Sequence, residues 1–424
     1  MSSNIGKGIA AGLLGLAVVS AADRADASGF QLREQSAEGL GSSFAGMTAK
    51  AQDASVVWYN PAAMTILHGN QITASATGII ARSNFSGSAG PTTGGSGGDA
   101  IVDAVVGANF AVWDFSKDLK FGIGITSPFG LRTNYDSDWV GRHHAIYSSL
   151  LTINVNPSVA YRLSERFSVG AGVQIVYAKA DMSSGIPLPP AGAPGPVVSF
   201  GGDGYGVGFN LGALYEFSPT SRVGLSFRSQ VAEKLKGSAE TNSALYAGAR
   251  WGGAMSRNIT AGVNLPAMVS LGVYHELTPR WAVMADLDWT GWSTFQNLTV
   301  RFDDALGGNL QAVTENWRDT VFVALGAAYK LDGGHKLSFG VAYDQSPFRD
   351  QYRTARIPDS ERYWTSVGYS HVFNDKLTMN FGYAHLFAPK VSISEAGGAP
   401  GIPTLTGEYS GAVDLISTGF TYKF

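Results

Sequence analysis

Residues 151–177 read LTINVNPSVAYRLSERFSVGAGVQIVY. Leu151, Ile153, Val155, Val159, Tyr161 and Leu163 stand at alternate positions, interrupted only at Pro157. After Ser164-Glu165-Arg166 the alternation resumes with Phe167, Val169, Ala171, Val173, Ile175 and Tyr177. The residues between are mostly small or polar, such as Ser168, Gly170, Gly172 and Gln174. A period of two puts the two sets on opposite faces of a strand. Two such runs around a short polar turn predict a β-hairpin.

The same pairing recurs around Ser116-Lys117-Asp118, Ser218-Pro219-Thr220-Ser221, Thr278-Pro279-Arg280, Asp332-Gly333-Gly334 and Asn374-Asp375. Six hairpins, one strand before them (about 70–86) and one after (about 411–424) predict fourteen strands. The hairpins are joined by long Gly-, Pro- and Ser-rich connections at roughly 87–105, 128–147, 183–203, 234–258, 292–318, 344–362 and 388–410. Tight turns at one end, long loops at the other and an even strand number describe an all-β, 14-stranded antiparallel transmembrane barrel. A soluble propeller or stack of sandwiches would carry charge on its outward face. Here one face is apolar and the other small or polar, as expected when lipid lies outside. Trp113, Phe115, Phe167, Tyr215, Phe217, Trp281 and Phe373 cluster beside the tight turns, where an interfacial girdle would lie. No stretch reaches the roughly 18 uninterrupted apolar residues of a membrane helix.

Composition narrows the function. With 30 Lys and Arg against 33 Asp and Glu there is no cationic excess for a nucleic-acid partner. The absence of cysteine excludes a disulfide scaffold and a thiolate metal site or nucleophile. Residues 1–27 read as a signal peptide, with Lys7, an apolar stretch from Ile9 to Val19 and Ala25-Asp26-Ala27 as the cleavage site. Residues 28–68 do not alternate. A barrel of this size is too wide for side chains alone to fill, so this segment is expected to fold into the lumen as a plug, or hatch. The barrel then occupies 69–424. Its last strand, Ile416, Thr418, Phe420, Tyr422 and Phe424, ends on an aromatic. That ending resembles the signal by which the barrel-assembly machinery recognises outer-membrane proteins.

Several segments resemble the FadL-type hydrophobic-compound transporters of the Gram-negative outer membrane. They are Ser28-Gly29-Phe30-Gln31-Leu32, Gly39-Leu40-Gly41, Asp53-Ala54-Ser55, Asn60-Pro61-Ala62 and Ser127-Pro128-Phe129-Gly130-Leu131. Trp139-Val140-Gly141-Arg142, Asn156-Pro157-Ser158-Val159-Ala160-Tyr161, Asn264-Leu265-Pro266 and Trp289-Thr290-Gly291-Trp292-Ser293 continue the match in order. The resemblance implies passive uptake of long-chain fatty acids or, in the TodX branch, aromatic hydrocarbons. It also implies capture among extracellular loops, a pocket against the hatch, and lateral exit where the third strand kinks. The kink falls at Ser127-Pro128-Phe129-Gly130, and the hatch motif at Asn60-Pro61-Ala62. Pro128 removes a ladder donor and Gly130 permits a bend. Asn60, able to donate and accept, is the expected partner of the freed backbone. Phe30, Trp58, Tyr59 and Lys179 are the ligand-binding candidates.

No catalytic constellation, metal site or cofactor motif is expected. Gly94-Gly95-Ser96-Gly97-Gly98 matches G-x-S-x-G in a loop and not at a strand-to-helix elbow. His143-His144 and the nearby Asp136 and Asp138 read as solvated loop residues. A fatty-acid carboxylate in an apolar pocket requires a cation. The arginine used by fatty-acid members falls at Ser184, leaving Lys179 nearby. An adhesin or structural barrel is the competing class, and a blocked lumen argues against it. The expected partners are a hydrophobic small molecule, outer-membrane lipid and lipopolysaccharide, with the chain acting as a monomer.

Overall fold

The alternating runs are hydrogen-bonded strands in a computed structural model that describes residues 29–187, 195–303, 308–398 and 401–424. The signal peptide expected at 1–27 lies outside the described residues. The first seven strands are β1 (Gln71–Ser88), β2 (Ala104–Asp114), β3 (Leu119–Thr126 and Gly130–Asn134), β4 (Tyr147–Arg162), β5 (Phe167–Gly185), β6 (Val197–Ser218) and β7 (Ser221–Arg228 and Val231–Thr241). The remainder are β8 (Ser256–Leu265 and Met268–Glu276), β9 (Trp281–Thr290 and Asn297–Phe302), β10 (Asn309–Thr314 and Thr320–Lys330), β11 (Lys336–Asp344), β12 (Arg362–Val372), β13 (Leu377–Glu395) and β14 (Leu405–Lys423). Each pairs antiparallel with the next, and β1 closes on β14 from Gln71↔Lys423 to Ser88↔Thr406. The result is a closed barrel of fourteen strands.

The tight turns are held by their own side chains. Ser116 Oγ accepts from Leu119 N (3.1 Å), Ser164 Oγ from Phe167 N (3.1 Å), and Asn374 Oδ1 from Leu377 N (3.0 Å). Such local acceptors stabilise a reversal more than a continued strand. Pro157 sits within β4 and has no N–H to give β5. The Asn156 side-chain amide donates to Val173 O instead (2.8 Å), so the ladder crosses the proline with its alternation intact.

Val173, Val207, Leu211, Leu271, Leu325, Val341, Val367 and Ile416 point outward and are exposed. In water such a belt would be a large unburied apolar surface, and in lipid it is the matched face. Among the described residues no helix is long and apolar enough to cross a membrane. Phe115, Phe217, Trp281 and Phe373 are exposed beside the tight turns, the position of an interfacial girdle.

The connections are shorter than expected at 183–203, 234–258, 292–318 and 388–410. β5, β6, β7, β13 and β14 run several residues into those spans. Helix Ala244–Arg250 and the paired segments Asn297–Phe302 and Asn309–Thr314 occupy parts of the rest. Beyond the hydrocarbon both faces of a strand meet water, so Ser183, Ser184 and Ser199 serve as well as apolar residues and the alternation fades while the ladder continues.

The lumen is filled by residues 29–67. Helix Ala37–Leu40 is capped by Ser36 Oγ accepting from Gly39 N (3.1 Å). Asn60 caps the 3₁₀ turn Pro61–Ile66, its Oδ1 accepting from Ala62 N (3.1 Å) with Pro61 at the first position. A Cβ added at Gly224, Gly340 or Gly368 would collide with the backbone of Thr48, Ser42 or Gly41. Lumen-facing glycines thus let hatch and wall meet main chain to main chain. Arg222 donates to Ala49 O (2.8 Å) and Lys50 O (2.7 Å), Arg228 to Trp58 O (2.7 Å), Arg162 to Thr65 O (2.9 Å) and Lys120 to Leu67 O (3.1 Å). Barrel cations thereby satisfy hatch carbonyls that no helix or sheet pairs.

Candidate ligand pocket and wall opening

β3 breaks at Ser127–Phe129. Below the break it pairs with β4 up to Thr126↔Asn154, and above it resumes at Gly130↔Leu151. Three residues on β3, Ser127–Phe129, thus stand opposite two on β4, Thr152 and Ile153, a bulge. Thr152 faces the break: its hydroxyl accepts from Phe129 N (2.9 Å) and donates to Phe129 O (2.6 Å), and Ser127 Oγ donates to Thr152 O (2.8 Å).

On the other side the ladder between β2 and β3 stops at Asn109↔Ile125. Higher up, Asn134 N donates to Ala100 O (2.7 Å) and Ile101 bridges Thr133, so the loop before β2 takes over from β2 itself. Between these two closures lies an interruption in the wall. The hatch supplies its inner edge. Leu32 N donates to Pro128 O (2.8 Å), Gly130 N to Phe30 O (2.8 Å), and Gln35 Nε2 to Ser127 O (2.9 Å). Freed strand groups are therefore met by protein, the condition for irregular backbone at membrane depth. Asn60, expected in this role, lies elsewhere: its amide donates to Thr48 O (2.8 Å) and Ala213 O (3.0 Å).

Against the kink sits an aromatic cluster. The Phe30 ring lies 4.7 Å from Trp292, 5.3 Å from Trp317, 5.5 Å from Phe295 and 6.0 Å from Phe129, centroid to centroid. Trp292 and Phe295 come from the break in β9, where the chain makes a short 3₁₀ turn, and Trp317 from the break in β10. Leu131, Leu150, Val176 and Leu265 pack around these rings and complete an apolar enclosure filled by its own side chains. Trp317 Nε1 donates to Glu315 Oε2 (3.1 Å), and burial pushes the Glu315 carboxyl up to about 8 despite that bond. Of the residues singled out in the sequence, Phe30, Phe129 and Pro128 meet here. Trp292 carries part of the family resemblance but was not a ligand-binding candidate, and Phe295 and Trp317 were missed, although the aromatic density of 289–317 was visible.

Trp58 and Tyr59 belong to a different layer. They border a cavity of about 40 Å³ shared with Arg33, Arg228, Asp286 and Asp288. The Arg228 guanidinium stacks 3.6 Å from the Trp58 ring, and Tyr59 donates to Arg33 O (3.0 Å). Leu32, Phe44, Met47 and Met268 line the same cavity, and Trp58 and Tyr59 pack in a hydrophobic cluster distinct from the one around Phe30. Lys179 is placed outside the barrel. It shares the parity of Val173, Ile175 and Tyr177, its side chain is 49% exposed, and it pairs with Asp181 at 3.5 Å. It does not reach the pocket, and the expectation that it supplies the pocket cation is corrected.

A groove of about 840 Å³ opens among the loops above, lined by Ile186, Val198, Phe200, Leu245 and Tyr246 together with polar residues that include His144, Arg250, Arg353 and Glu395. His143 and His144 diverge within it. His143 Nδ1 meets Gly185 O (2.9 Å), whereas His144 Nε2 meets Pro403 O (2.9 Å) and its Nδ1 lies 3.3 Å from Glu395. Burial lowers the His144 pKa, but the bond and charge of Glu395 outweigh it and raise the group overall.

This chain matches the outer membrane protein transport protein family (OMPP1/FadL/TodX) over residues 18–424. It is 31% identical to the long-chain fatty acid transport protein of Escherichia coli O6:H1 across 97% of this chain and 98% of that one. It is 33% identical to outer membrane protein P1 of Haemophilus influenzae, across 90% and 91%. A Pseudomonas aeruginosa FadL homologue of known structure superposes with a TM-score of 0.87 at 25% identity, covering 93% of this chain and all of that one. The toluene transporter TodX of Pseudomonas putida, at 18% identity and a TM-score of 0.69 over 94% and 99%, shares the fold. Hatch, interrupted wall, apolar enclosure and matched sequence agree: the chain belongs to the OMPP1/FadL/TodX family of Gram-negative outer-membrane barrels, which transport hydrophobic compounds and are not enzymes.

Proposed function

We propose that the chain takes up long-chain fatty acids by passive diffusion along three stations. The acid is captured in the groove lined by Phe200, Leu245 and Tyr246, moves to the enclosure around Phe30, and leaves through the wall at Ser127–Gly130 into the membrane. The observation that carries this reading is the contact of the apolar enclosure with the interruption in β3, above a hatch tied to the wall by ion pairs and backbone bonds. A chain of many methylenes gains about 0.8 kcal/mol for each one buried, so a long acyl tail suits such a path better than a small polar solute. The Asn60-Pro61-Ala62 turn acts as an anchor of the hatch in this scheme. Outer-membrane lipid and lipopolysaccharide surround a barrel acting as a monomer, inserted through the Phe424 strand.

Aromatic hydrocarbons are the second reading. It is favoured by the aromatic character of the enclosure and by the outward placement of Lys179. A deletion strain is expected to lose growth on oleate and to keep growth on toluene; the reverse pattern would favour the hydrocarbon. Gly130→Arg, which puts a long charged side chain at the opening, is expected to abolish uptake with folding and surface expression preserved. Uptake at the wild-type rate in that variant would sink the lateral route.

A further inference from the structure

Arg356 lies in the loop between β11 and β12 and is 4% exposed. Its side-chain hydrogen bonds all run from Nη1, to Tyr147 O (3.3 Å), Ser148 Oγ (3.2 Å) and Ser183 O (3.3 Å). Nη2 is buried without a partner among the described residues, and no carboxylate there forms an ion pair with this guanidinium. Burial lowers its pKa to about 10, against the raising charges of Glu395 and Glu315, so the group remains a cation at neutral pH. A buried charge that lacks a counterion is costly and calls for an anion.

The nearby acids do not supply one. Glu315 is pushed up to about 8 by burial and is largely neutral at pH 7. Glu395 is engaged by His144 Nδ1 (3.3 Å) and accepts from Ala355 N (2.7 Å). Two apolar surroundings meet at Arg356. Ile357, next in the chain, packs in the cluster that contains Phe30, Trp292 and Trp317. The Phe200 ring, 5.7 Å from the guanidinium carbon, lines the extracellular groove.

We propose that Arg356 anchors the carboxylate of a long-chain acid at the boundary between the groove and the aromatic enclosure, with the alkyl chain lying in the groove against Phe200. This rests on the fatty-acid reading above and supplies the cation that Lys179 does not. Two oxygens of a carboxylate match the planar fork of a guanidinium, whereas an ester, an alkane or an aromatic hydrocarbon offers no charge to pair. Arg356 thus favours acids over neutral compounds of equal length.

The test uses the purified full-length mature barrel in detergent, with oleate and methyl oleate titrated by calorimetry. Wild type is expected to bind oleate more tightly than the ester. Arg356→Gln is expected to weaken oleate by about ten- to hundredfold, as for loss of charge-assisted bonds, and to leave methyl oleate unchanged. Arg356→Lys is expected to recover part of the loss. Heat-modifiable gel mobility reports folding, and if Arg356→Gln fails it, the wild-type preference and Arg356→Lys carry the test. Unchanged oleate affinity in Arg356→Gln, equal weakening of both ligands, or no wild-type preference for the acid would overturn the anchor while leaving fatty-acid uptake standing. Wild-type protein that binds neither ligand would overturn both.

Discussion

Two glutamates four residues apart in the hatch show how neighbours decide the sign of a buried charge. Burial would raise the pKa of Glu38, but Lys336 and Lys50 outweigh it and hold the carboxyl down at about 2. Its oxygens lie 2.5 Å from Lys336 Nζ and 2.8 Å from Lys50 Nζ. Burial pushes Glu34 the other way, up to about 7, and one of its oxygens has no partner among the described residues. The pH dependences are therefore opposite. The depressed Glu38 contributes stability at pH above its unfolded value of about 4.5, lost as pH falls toward 2. The raised Glu34 binds its proton more tightly when folded, so stability falls as pH rises from about 4.5 through 7. Glu38→Gln leaves two lysines without their carboxylate and is expected to cost about 3 kcal/mol at neutral pH. Glu34→Gln is expected to be neutral in acid and stabilising by about 1–3 kcal/mol above about pH 8. Urea unfolding in lipid vesicles, followed by tryptophan fluorescence across that pH range, reads both. Parallel pH profiles in the two variants would contradict the assignment.

At the scale of elements, the kink in β3 depends on one hydroxyl. Thr152 both accepts from and donates to the Phe129 backbone, so Thr152→Val would leave two buried groups unmet, at about 1–3 kcal/mol. Thr152→Ser keeps the oxygen and is expected to stay close to wild type. Urea midpoints of the pair check this, and a valine variant as stable as the serine one would show that water or the hatch takes over. The break itself was legible, because Pro128 cannot donate to a ladder. Its filling was not, since Gln35 reaches Ser127 across 92 positions and no periodicity links them. The strands were legible within the lipid belt, where only one face can be apolar, and lost at their upper ends, where both faces are wet. The outward placement of Lys179 follows from the same alternation that puts Ile175 and Tyr177 in lipid, so parity was the available signal. Trp292 and Trp317 gave no such signal. They turn inward where β9 and β10 break, and strand breaks without proline leave little local trace.

For the molecule as a whole, the alternatives are a hatch that leaves the lumen and a hatch that stays while ligand exits sideways. The contacts favour the second. The hatch is held by Glu38 to Lys336, by Arg33 to Asp288 (2.6 Å), and by backbone packed onto lumen-facing glycines on several strands. Withdrawing it would expose those charges and carbonyls together, far more than thermal motion or a passive ligand supplies. A covalent tether tests this directly. Ser43 Oγ in the hatch lies 2.8 Å from Ser366 Oγ in β12, close enough for a disulfide after modest adjustment. The chain has no cysteine of its own, so Ser43→Cys with Ser366→Cys would form a single defined bond in an oxidising periplasm. The oxidised double variant is expected to take up oleate at the wild-type rate, and reduction is expected to change nothing. Uptake blocked by the bond and restored by a reductant would mean that the hatch must move away from the wall, and the exit would then lie through the lumen.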